Sequence, residues 1–230
     1  AFGEFASKLS EEDYLVCDPN DKNLKEIIKK TKSKIIDYAK VSASFNLKIP
    51  GEHNIKNAKA AMAVAEILNV DEKTALKSLN DFLGTWRRFE YKGETKNGVL
   101  VYDDYGHHPT EIKATLNGAR EFFGEKKIWC VFQPHLYSRT KALLNEFGKS
   151  FGEADEVILA DIYAAREPKD ESINSKRLEE EIIKNGGKAF YMESFAKIEK
   201  FLRENTGKND VVITMGAGDI FKVGENLLKN

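Results

Sequence analysis

The chain has 230 residues, 41% hydrophobic and 32% charged, with 5 prolines and 16 glycines, which predicts one large or two small folded domains and excludes disorder as the main state. Its 36 Lys and Arg residues against 37 Asp and Glu residues give a formal net charge of −1, so no global basic field favours nucleic acid or an anionic membrane as a partner. No apolar run approaches the roughly 20 residues that a membrane-spanning helix needs, and residues 1–4 are not typical of a signal peptide.

Residues 1–90 contain a short series of predicted elements. In chain order these are a helix over 2–9, a strand at 14–17, a lysine-rich helix to about residue 30, strands near 34–38 and 44–49, an alanine-rich amphipathic helix after Pro50-Gly51, and a helix over about 72–82. This series supplies too few strands for a core of its own. We therefore expect the end of a larger domain whose other strands lie upstream, with the domain boundary between Trp86 and Tyr91.

Strands and helices alternate from about residue 90 onward. Continuous apolar runs predict strands that are buried on both faces of a parallel sheet, at 99–102, 128–132, 157–160, 189–192 and 211–215. Apolar residues spaced by three and four predict the helices between them. This alternation predicts a doubly wound, mostly parallel, Rossmann-like α/β domain. Cys17 and Cys130 each lie in a strand-like run, which favours the reduced, buried thiols of a cytosolic protein.

Polar residues follow the predicted strands, at the edge where parallel α/β sheets bind ligands. These segments are 103–109, 133–139, 161–167 and 216–219, and they contain three of the four histidines. Asp103-Asp104-x-x-His107-His108 is a candidate divalent-metal site, because both side-chain types are metal ligands. The alternative is that one aspartate caps the loop and that Thr110 caps the helix opened by Pro109.

Three further segments each allow two interpretations. Gly216-Ala217-Gly218-Asp219 is half of a dinucleotide fingerprint, but a tight turn with Asp219 as helix N-cap is favoured. Arg87-Arg88 suits either a solvated linker or a phosphate at a closing cleft. His53-Asn54-x-x-Asn57 opens the alanine-rich helix, where one asparagine is expected to cap and the other to present its amide to an adenine edge.

Taken in order, these segments resemble the Mur ligases of peptidoglycan synthesis. The matching strings are Gly51-x-His53-Asn54-x-x-Asn57-x-x-Ala60-Ala61, Arg87-Arg88-Phe89-Glu90, Asp103-Asp104-Tyr105-Gly106-His107-His108-Pro109-Thr110-Glu111, Phe132-Gln133-Pro134-His135 with Arg139, Tyr163-x-Ala165-Arg166-Glu167 and Gly216-Ala217-Gly218-Asp219. The resemblance covers the whole chain and is specific as a set. The third and fourth strings together favour the members that join L-alanine to UDP-N-acetylmuramate over the member that recycles the murein tripeptide.

The resemblance implies that ATP, with Mg²⁺, phosphorylates the muramyl carboxylate and that the amine of L-alanine attacks the acyl phosphate. On the nucleotide side, adenine would be held by His53, Asn54 and Asn57. Arg88 would face the nucleotide, and Asp104 would bind its ribose.

The resemblance also implies residues on the amino-acid side. Tyr105 and His107 would line the pocket for L-alanine and the acyl phosphate. His135 and Arg139 would bind the substrate, Arg139 through the carboxylate of the amino acid. Leu136 departs from the pattern, because some members carry an arginine at that position.

A second departure is that no G-x-x-x-x-G-K-[ST] phosphate loop occurs in the chain. In the family, that loop, the Mg²⁺-binding carboxylate and the UDP-binding domain lie upstream of the adenine motif. The resemblance thus implies that residues 1–88 are the C-terminal part of the central ATP-binding domain and 89–230 the C-terminal, amino-acid-binding domain. The missing domains of the same enzyme would be its partners, and the chain alone is expected to be inactive. Two other classes stay open: a non-catalytic α/β nucleotide-binding module, and a metal-dependent hydrolase at the Asp-His cluster.

Overall fold

The computed structural model describes residues 2–229. Residues up to Leu83 form one compact unit, and those from Gly84 onward form a second. The structure therefore divides the chain slightly earlier than the boundary expected between Trp86 and Tyr91.

The first unit has a two-stranded parallel sheet with helices around it. Its elements are α1 (Phe2–Ser7), β1 (Tyr14–Cys17), α2 (Lys25–Ile28), β2 (Lys34–Asp37), a 3₁₀ turn (Tyr38–Lys40), α3 (Glu52–Ile67) and α4 (Glu72–Asp81). Strands β1 and β2 pair in parallel, with Tyr14 opposite Lys34. The hydrophobic side chains that it buries are mostly small, namely Ala6, Cys17, Ala58, Met62, Ala63 and Ala75.

The strand predicted near 44–49 is wrong, because this segment is irregular. The backbone N–H of Asn46 donates to the side chain of Asn80 at 2.8 Å, so it pairs with a side chain rather than with a strand. Phe45, Leu47 and Ile49 alternate with exposed polar residues and are half-buried, so the segment has the apolar face of a strand, but it pairs with no strand among the residues described.

The second unit is a sheet of the order β3-β4-β8-β5-β6-β7. Its elements are β3 (Glu90–Glu94), β4 (Leu100–Asp104), α5 (Pro109–Phe123), β5 (Lys127–Phe132), α6 (Tyr137–Ala142), α7 (Leu144–Gly148), β6 (Glu156–Leu159), α8 (Ser175–Lys184), β7 (Ala189–Tyr191), α9 (Phe195–Asn205), β8 (Asp210–Met215) and α10 (Phe221–Leu228). All strand pairs are parallel except β3 with β4. The predicted mostly parallel α/β fold is therefore confirmed.

Both faces of this sheet are buried, which explains why its strands are continuously apolar. Along β5, Ile128, Cys130 and Phe132 pack with α5, α7 and α8. The alternate residues, Trp129 and Val131, pack with α9 and α10 on the other face. Both cysteines of the chain are free and buried, and burial raises the pKa of the Cys130 thiol.

The antiparallel strand β3 was not predicted. Its sequence, Glu90-Tyr91-Lys92-Gly93-Glu94, has no apolar run, and its register with β4 shifts between Tyr91 and Gly93. The strand lies at the sheet edge, where one face stays open to water. Packing of Tyr91 against Tyr102, with 5.2 Å between ring centroids, stabilises a pairing that local periodicity does not reveal.

Adjacent isoleucines in α8 provide a matched test of this core. Ile182 is 1% exposed, whereas Ile183 is 52% exposed. We expect Ile182→Ala to lower the free energy of unfolding by about 2–5 kcal/mol, because it leaves a cavity. Ile183→Ala is expected to change it by about 0.5 kcal/mol or less. Urea unfolding of the two variants measures both values, and equal losses would contradict the packing of α8.

Candidate functional site

The loops that follow β4, β5, β6 and β8 lie at one edge of the second unit, because these parallel strands are neighbours. His107 follows β4, His135 follows β5, and their ring centroids are 5.7 Å apart. The His135 ring also stacks on Tyr163, which follows β6, at 5.6 Å. The sequence-predicted residues on the amino-acid side thus form one cluster, which we call the carboxyl-edge cluster: Tyr105, His107, His135 and Arg139.

Arg87 is a buried residue that connects the end of β4 to the turn after β8. Only 3% of it is exposed, and its Nε donates to Asp103 at 2.7 Å. Its Nη1 and Nη2 donate to the carbonyls of Gly218 and Gly216 at 3.0 and 2.6 Å. The sequence allowed Arg87 a solvated or a phosphate-binding role. The structure instead uses it to join β4 to the turn after β8.

Asp103 completes this buried pair. Its carboxylate also accepts a hydrogen bond from the Thr214 hydroxyl at 2.6 Å. Burial raises the pKa of Asp103, and the bonds from Arg87 and Thr214 oppose that effect. The side chain is 1% exposed, so it acts within the fold.

Asp104 is also directed inward. One carboxylate oxygen accepts from the Phe89 N–H at 2.8 Å, and the other accepts from the Gly106 N–H at 2.8 Å and the Thr115 hydroxyl at 3.3 Å. The side chain therefore holds the loop after β4 against the start of β3. The ribose contact that the resemblance implies for Asp104 stays a prediction.

Tyr105 and His107 are positioned by backbone contacts. The N–H of Tyr105 donates to the Arg87 carbonyl at 2.7 Å, and Nδ1 of His107 lies 2.9 Å from the Tyr105 carbonyl. The guanidinium of Arg88 lies 5.8 Å from the Tyr105 ring centroid. Unlike Arg87, Arg88 is exposed.

The caps expected at this edge are corrected by the structure. His108, not Thr110, is the N-cap of α5, in a capping box with Glu111, and Pro109 occupies the first turn. Asp219 does not cap α10 with its side chain but pairs with Lys222 at 3.0 Å. Helix α10 begins without a side-chain cap.

His135 and Arg139 lie one helical turn apart at the start of α6. Nη1 of Arg139 is 3.4 Å from Nδ1 of His135. Within residues 2–229, no acidic side chain forms an ion pair with the half-buried Arg139. Burial lowers the pKa of His135, and the charges of Arg139 and His107 add to that effect while Glu167 opposes it. The cluster therefore offers an unneutralised cation beside a neutral imidazole.

Sequence reasoning gave no role to Glu167. Its carboxylate accepts hydrogen bonds from the backbone and the hydroxyl of Ser138, and the latter bond lowers the pKa of Glu167 most. Glu167 thus fixes the first turn of α6, the helix that carries Arg139. An acidic residue after a strand gives no sign in sequence of which helix it contacts.

The nucleotide-side residues of the first unit lie in the first two turns of α3. Gly51 is its N-cap, and neither asparagine caps it, contrary to expectation. The Asn54 amide donates to the Pro50 carbonyl at 2.7 Å, which leaves its side-chain oxygen as an acceptor. His53 and Asn57 are exposed. Asn54 and Asn57 are three residues apart, so they share one face of the helix.

The metal interpretation of the Asp-His cluster finds no support in the geometry. Asp103 and Asp104 are both used inside the fold, as described above. Across residues 2–229, no three His, Cys, Asp or Glu side chains are grouped to hold a metal ion. None of the helices described is long and apolar enough to cross a membrane.

Comparison with known proteins identifies the class to which this edge belongs. The family model described as Mur ligase, glutamate ligase domain, matches residues 87–218, which is more than half of the chain. The chain therefore belongs to the Mur ligase family. A protein of Caldanaerobacter subterraneus named UDP-N-acetylmuramate–L-alanine ligase is 42% identical over 257 aligned residues, which cover 100% of this chain and 55% of the relative.

Two solved structures share the fold. The UDP-N-acetylmuramate-alanine ligase of Thermotoga maritima matches 98% of this chain and 61% of its own, with a TM-score of 0.74 at 24% identity. A murein peptide ligase of Psychrobacter arcticus matches 99% of this chain and 53% of its own, with a TM-score of 0.65 at 21% identity. The chain spans about half the length of the curated relatives that it matches.

The buried pair of Arg87 and Asp103 makes a sharp stability prediction. Arg87→Met leaves Asp103 buried without its cation, so we expect a loss of about 3–5 kcal/mol at neutral pH. The pKa of Asp103, already raised, rises further without Arg87, so protonation relieves part of the cost. The loss is therefore smallest near or below about pH 4, the ordinary aspartate range, and grows as the pH rises through the raised pKa.

Urea unfolding over this pH range measures the effect. Arg88→Met is the control, because it removes an exposed arginine next to Arg87 and should change stability by about 0.5 kcal/mol or less. A loss for Arg87→Met that does not depend on pH would show that the Asp103 charge does not cause it.

Proposed function

We propose that this chain is part of an enzyme that joins L-alanine to UDP-N-acetylmuramate with ATP, in peptidoglycan synthesis. The observation that carries the proposal is the carboxyl-edge cluster, in which the unneutralised Arg139 lies beside His135 and His107. A cation beside two imidazole rings suits a ligand that has a carboxylate and an amine. The names of the relatives that match the whole chain support the same reading.

In this proposal the cluster serves the amino-acid side of the reaction. Arg139 binds the carboxylate of L-alanine, because its guanidinium can donate two parallel hydrogen bonds. His135 also contacts this substrate, and Tyr105 and His107 lie beside the amine and the acyl phosphate. Half-buried donors that are already in place stabilise the charge that develops when the amine attacks.

On the nucleotide side, the proposal assigns adenine to residues of the first unit. Separately, it keeps for the second unit the roles that the resemblance implies, Arg88 toward the nucleotide and Asp104 toward the ribose. The exposed Asn57 amide and the free side-chain oxygen of Asn54 provide the donor and acceptor that an adenine edge requires. His53, in the same turn, would contact the base. We assign no Mg²⁺ ligand to residues 2–229, since they group no three suitable side chains, and we derive no step through the metal.

We further propose that residues 1–88 belong to the central ATP-binding domain and 89–230 to the amino-acid-binding domain of a cytoplasmic enzyme. Large apolar side chains such as Phe2 and Leu68 are 80% and 67% exposed in the first unit, which supports a domain completed by residues outside this chain. The 230 residues contain no phosphate loop, so we propose that they do not turn over ATP by themselves.

The proposed function is tested with the full-length enzyme that contains this chain. ADP formation is measured with UDP-N-acetylmuramate and L-alanine, and separately with the murein tripeptide in place of L-alanine. We expect turnover with L-alanine. Turnover with the tripeptide alone would assign the chain to the recycling ligase instead, and turnover with neither would contradict a ligase.

Arg139→Ala in that enzyme tests the carboxylate contact. Loss of a charge-assisted hydrogen bond costs about 1.5–3 kcal/mol, so the apparent affinity for L-alanine should fall by about one to two orders of magnitude. The apparent affinity for ATP should stay nearly unchanged. Lys141→Ala is the control, because Lys141 lies in the same helix but pairs with Asp170. An equal loss of ATP affinity would point to misfolding or to another role for Arg139.

A further inference from the structure

The two histidines of the carboxyl-edge cluster have different hydrogen-bond partners, and these partners fix where each ring carries its proton. Nδ1 of His107 lies 2.9 Å from the Tyr105 carbonyl oxygen. A carbonyl only accepts hydrogen bonds, so Nδ1 of His107 must be the donor. In the neutral ring, Nε2 of His107 then carries a lone pair. The Nδ1–H tautomer is the less common form of a neutral histidine side chain in water. Its presence at His107 would therefore show that the hydrogen bond to the Tyr105 carbonyl determines the tautomer.

His135 has the opposite arrangement. Its Nδ1 lies 3.4 Å from Nη1 of Arg139, and a guanidinium only donates hydrogen bonds. Nδ1 of His135 is therefore the acceptor, and Nε2 carries the proton. The ring is held in place by stacking on Tyr163 and by the backbone bridge between residues 135 and 163.

We propose that His107 and His135 form a fixed acceptor–donor pair, in which Nε2 of His107 accepts a hydrogen bond and Nε2–H of His135 donates one. Arg139 is the positioning residue in this pair, because its contact with Nδ1 of His135 places the proton of that ring on Nε2. The two ring centroids are 5.7 Å apart in an edge-to-face contact, so the two rings belong to one site. A ligand that carries both an amine and a carboxylate matches an acceptor beside a donor.

This inference rests on the proposed function where it concerns the reaction. Nε2 of His107 accepts a proton from the ammonium group of the amino acid. The resulting amine keeps the electron pair with which it attacks the carbonyl carbon of the acyl phosphate. The phosphate leaves with the electrons of the broken C–O bond, and the extra proton on nitrogen passes to solvent. Nε2–H of His135 and the guanidinium of Arg139 hold the carboxylate meanwhile.

The groups that face His135 favour its neutral form. Arg139 and His107 oppose a positive charge on the ring, while Glu167 favours one and Tyr163 covers a face. Burial has the largest effect, and together these groups lower the pKa of His135. At neutral pH the ring therefore keeps one proton, which the contact with Arg139 places on Nε2.

Long-range ¹H–¹⁵N correlation spectra of the 230-residue chain test the pair without any ligand. The chain has four histidines, and single His53→Gln and His108→Gln variants assign the signals of these two residues in the spectrum of the unmodified chain, which leaves those of His107 and His135. At a pH where both rings are neutral, we expect a protonated Nδ1 and an unprotonated Nε2 for His107, and the reverse for His135. His108 is an internal control, because its Nδ1 accepts from the Thr110 N–H and should be bare.

Arg139→Met then tests the positioning role. We expect part of the His135 population to change to the Nδ1–H form, because the donor to Nδ1 is lost, while the tautomer of His107 stays the same. The titration midpoint of His135 should also shift upward, because a neighbouring positive charge is lost. A protonated Nε2 on His107 in the unmodified chain would overturn the pair, and an unchanged His135 tautomer would overturn the role of Arg139. These results are independent of the ligase assay: a failure of that assay with the tautomers as expected would refute the function and leave the pair intact.

Discussion

The ion pair between Arg87 and Asp103 is the interaction on which the carboxyl edge depends. Taking either charge out of water costs several kcal/mol. Here the cost is offset by three hydrogen bonds of the Arg87 side chain, which can form together only in one position of the guanidinium group. Arg87 reaches the end of β4 and both glycine carbonyls of the turn after β8. Its own carbonyl accepts the N–H of Tyr105. The loop that carries Tyr105 and His107 therefore starts from a fixed point.

Strained backbone is concentrated at the same edge. Arg87, Phe89, Leu136 and Ala165 are non-glycine residues with φ between 47° and 70°, a conformation that costs on the order of 1 kcal/mol or more at each position. Neighbouring contacts hold each one, as the bond from the Leu136 N–H to the Tyr163 carbonyl shows. The central strands beneath, β5 and β8, are regular and almost fully buried. The sheet thus supplies the stability that lets its edge hold a precise arrangement.

The sequence predicted the strands that are recognised by burial on both faces, but not the elements that depend on a specific pairing between residues distant in the chain. The five parallel strands are confirmed because strands buried on both faces must be apolar throughout. Strand β3 was missed because its pairing rests on the Tyr91–Tyr102 contact. The strand near 44–49 was wrong, although its apolar residues alternate, because the sequence does not show whether a partner strand is present, and none pairs with it among the residues described. At the edge, the rule for parallel sheets located His107 and His135. It could not show that Asp103 and Asp104 face inward.

The edge keeps polar groups that the chain itself does not satisfy. The buried side-chain oxygen of Gln133 has no donor among the residues described, and it packs against Gly218, where a Cβ would come within 2.3 Å of it. Arg139 has no acidic partner in the same range. An unsatisfied buried acceptor costs about 1–3 kcal/mol of folding stability. An apolar side chain at the same position would avoid this cost. Such groups are expected where folding stability is reduced for the sake of a ligand. The unsatisfied Gln133 oxygen and an Arg139 without an acidic partner therefore suit a ligand at this edge, and the ion pair of Arg87 and Asp103 supports the loops that would hold it.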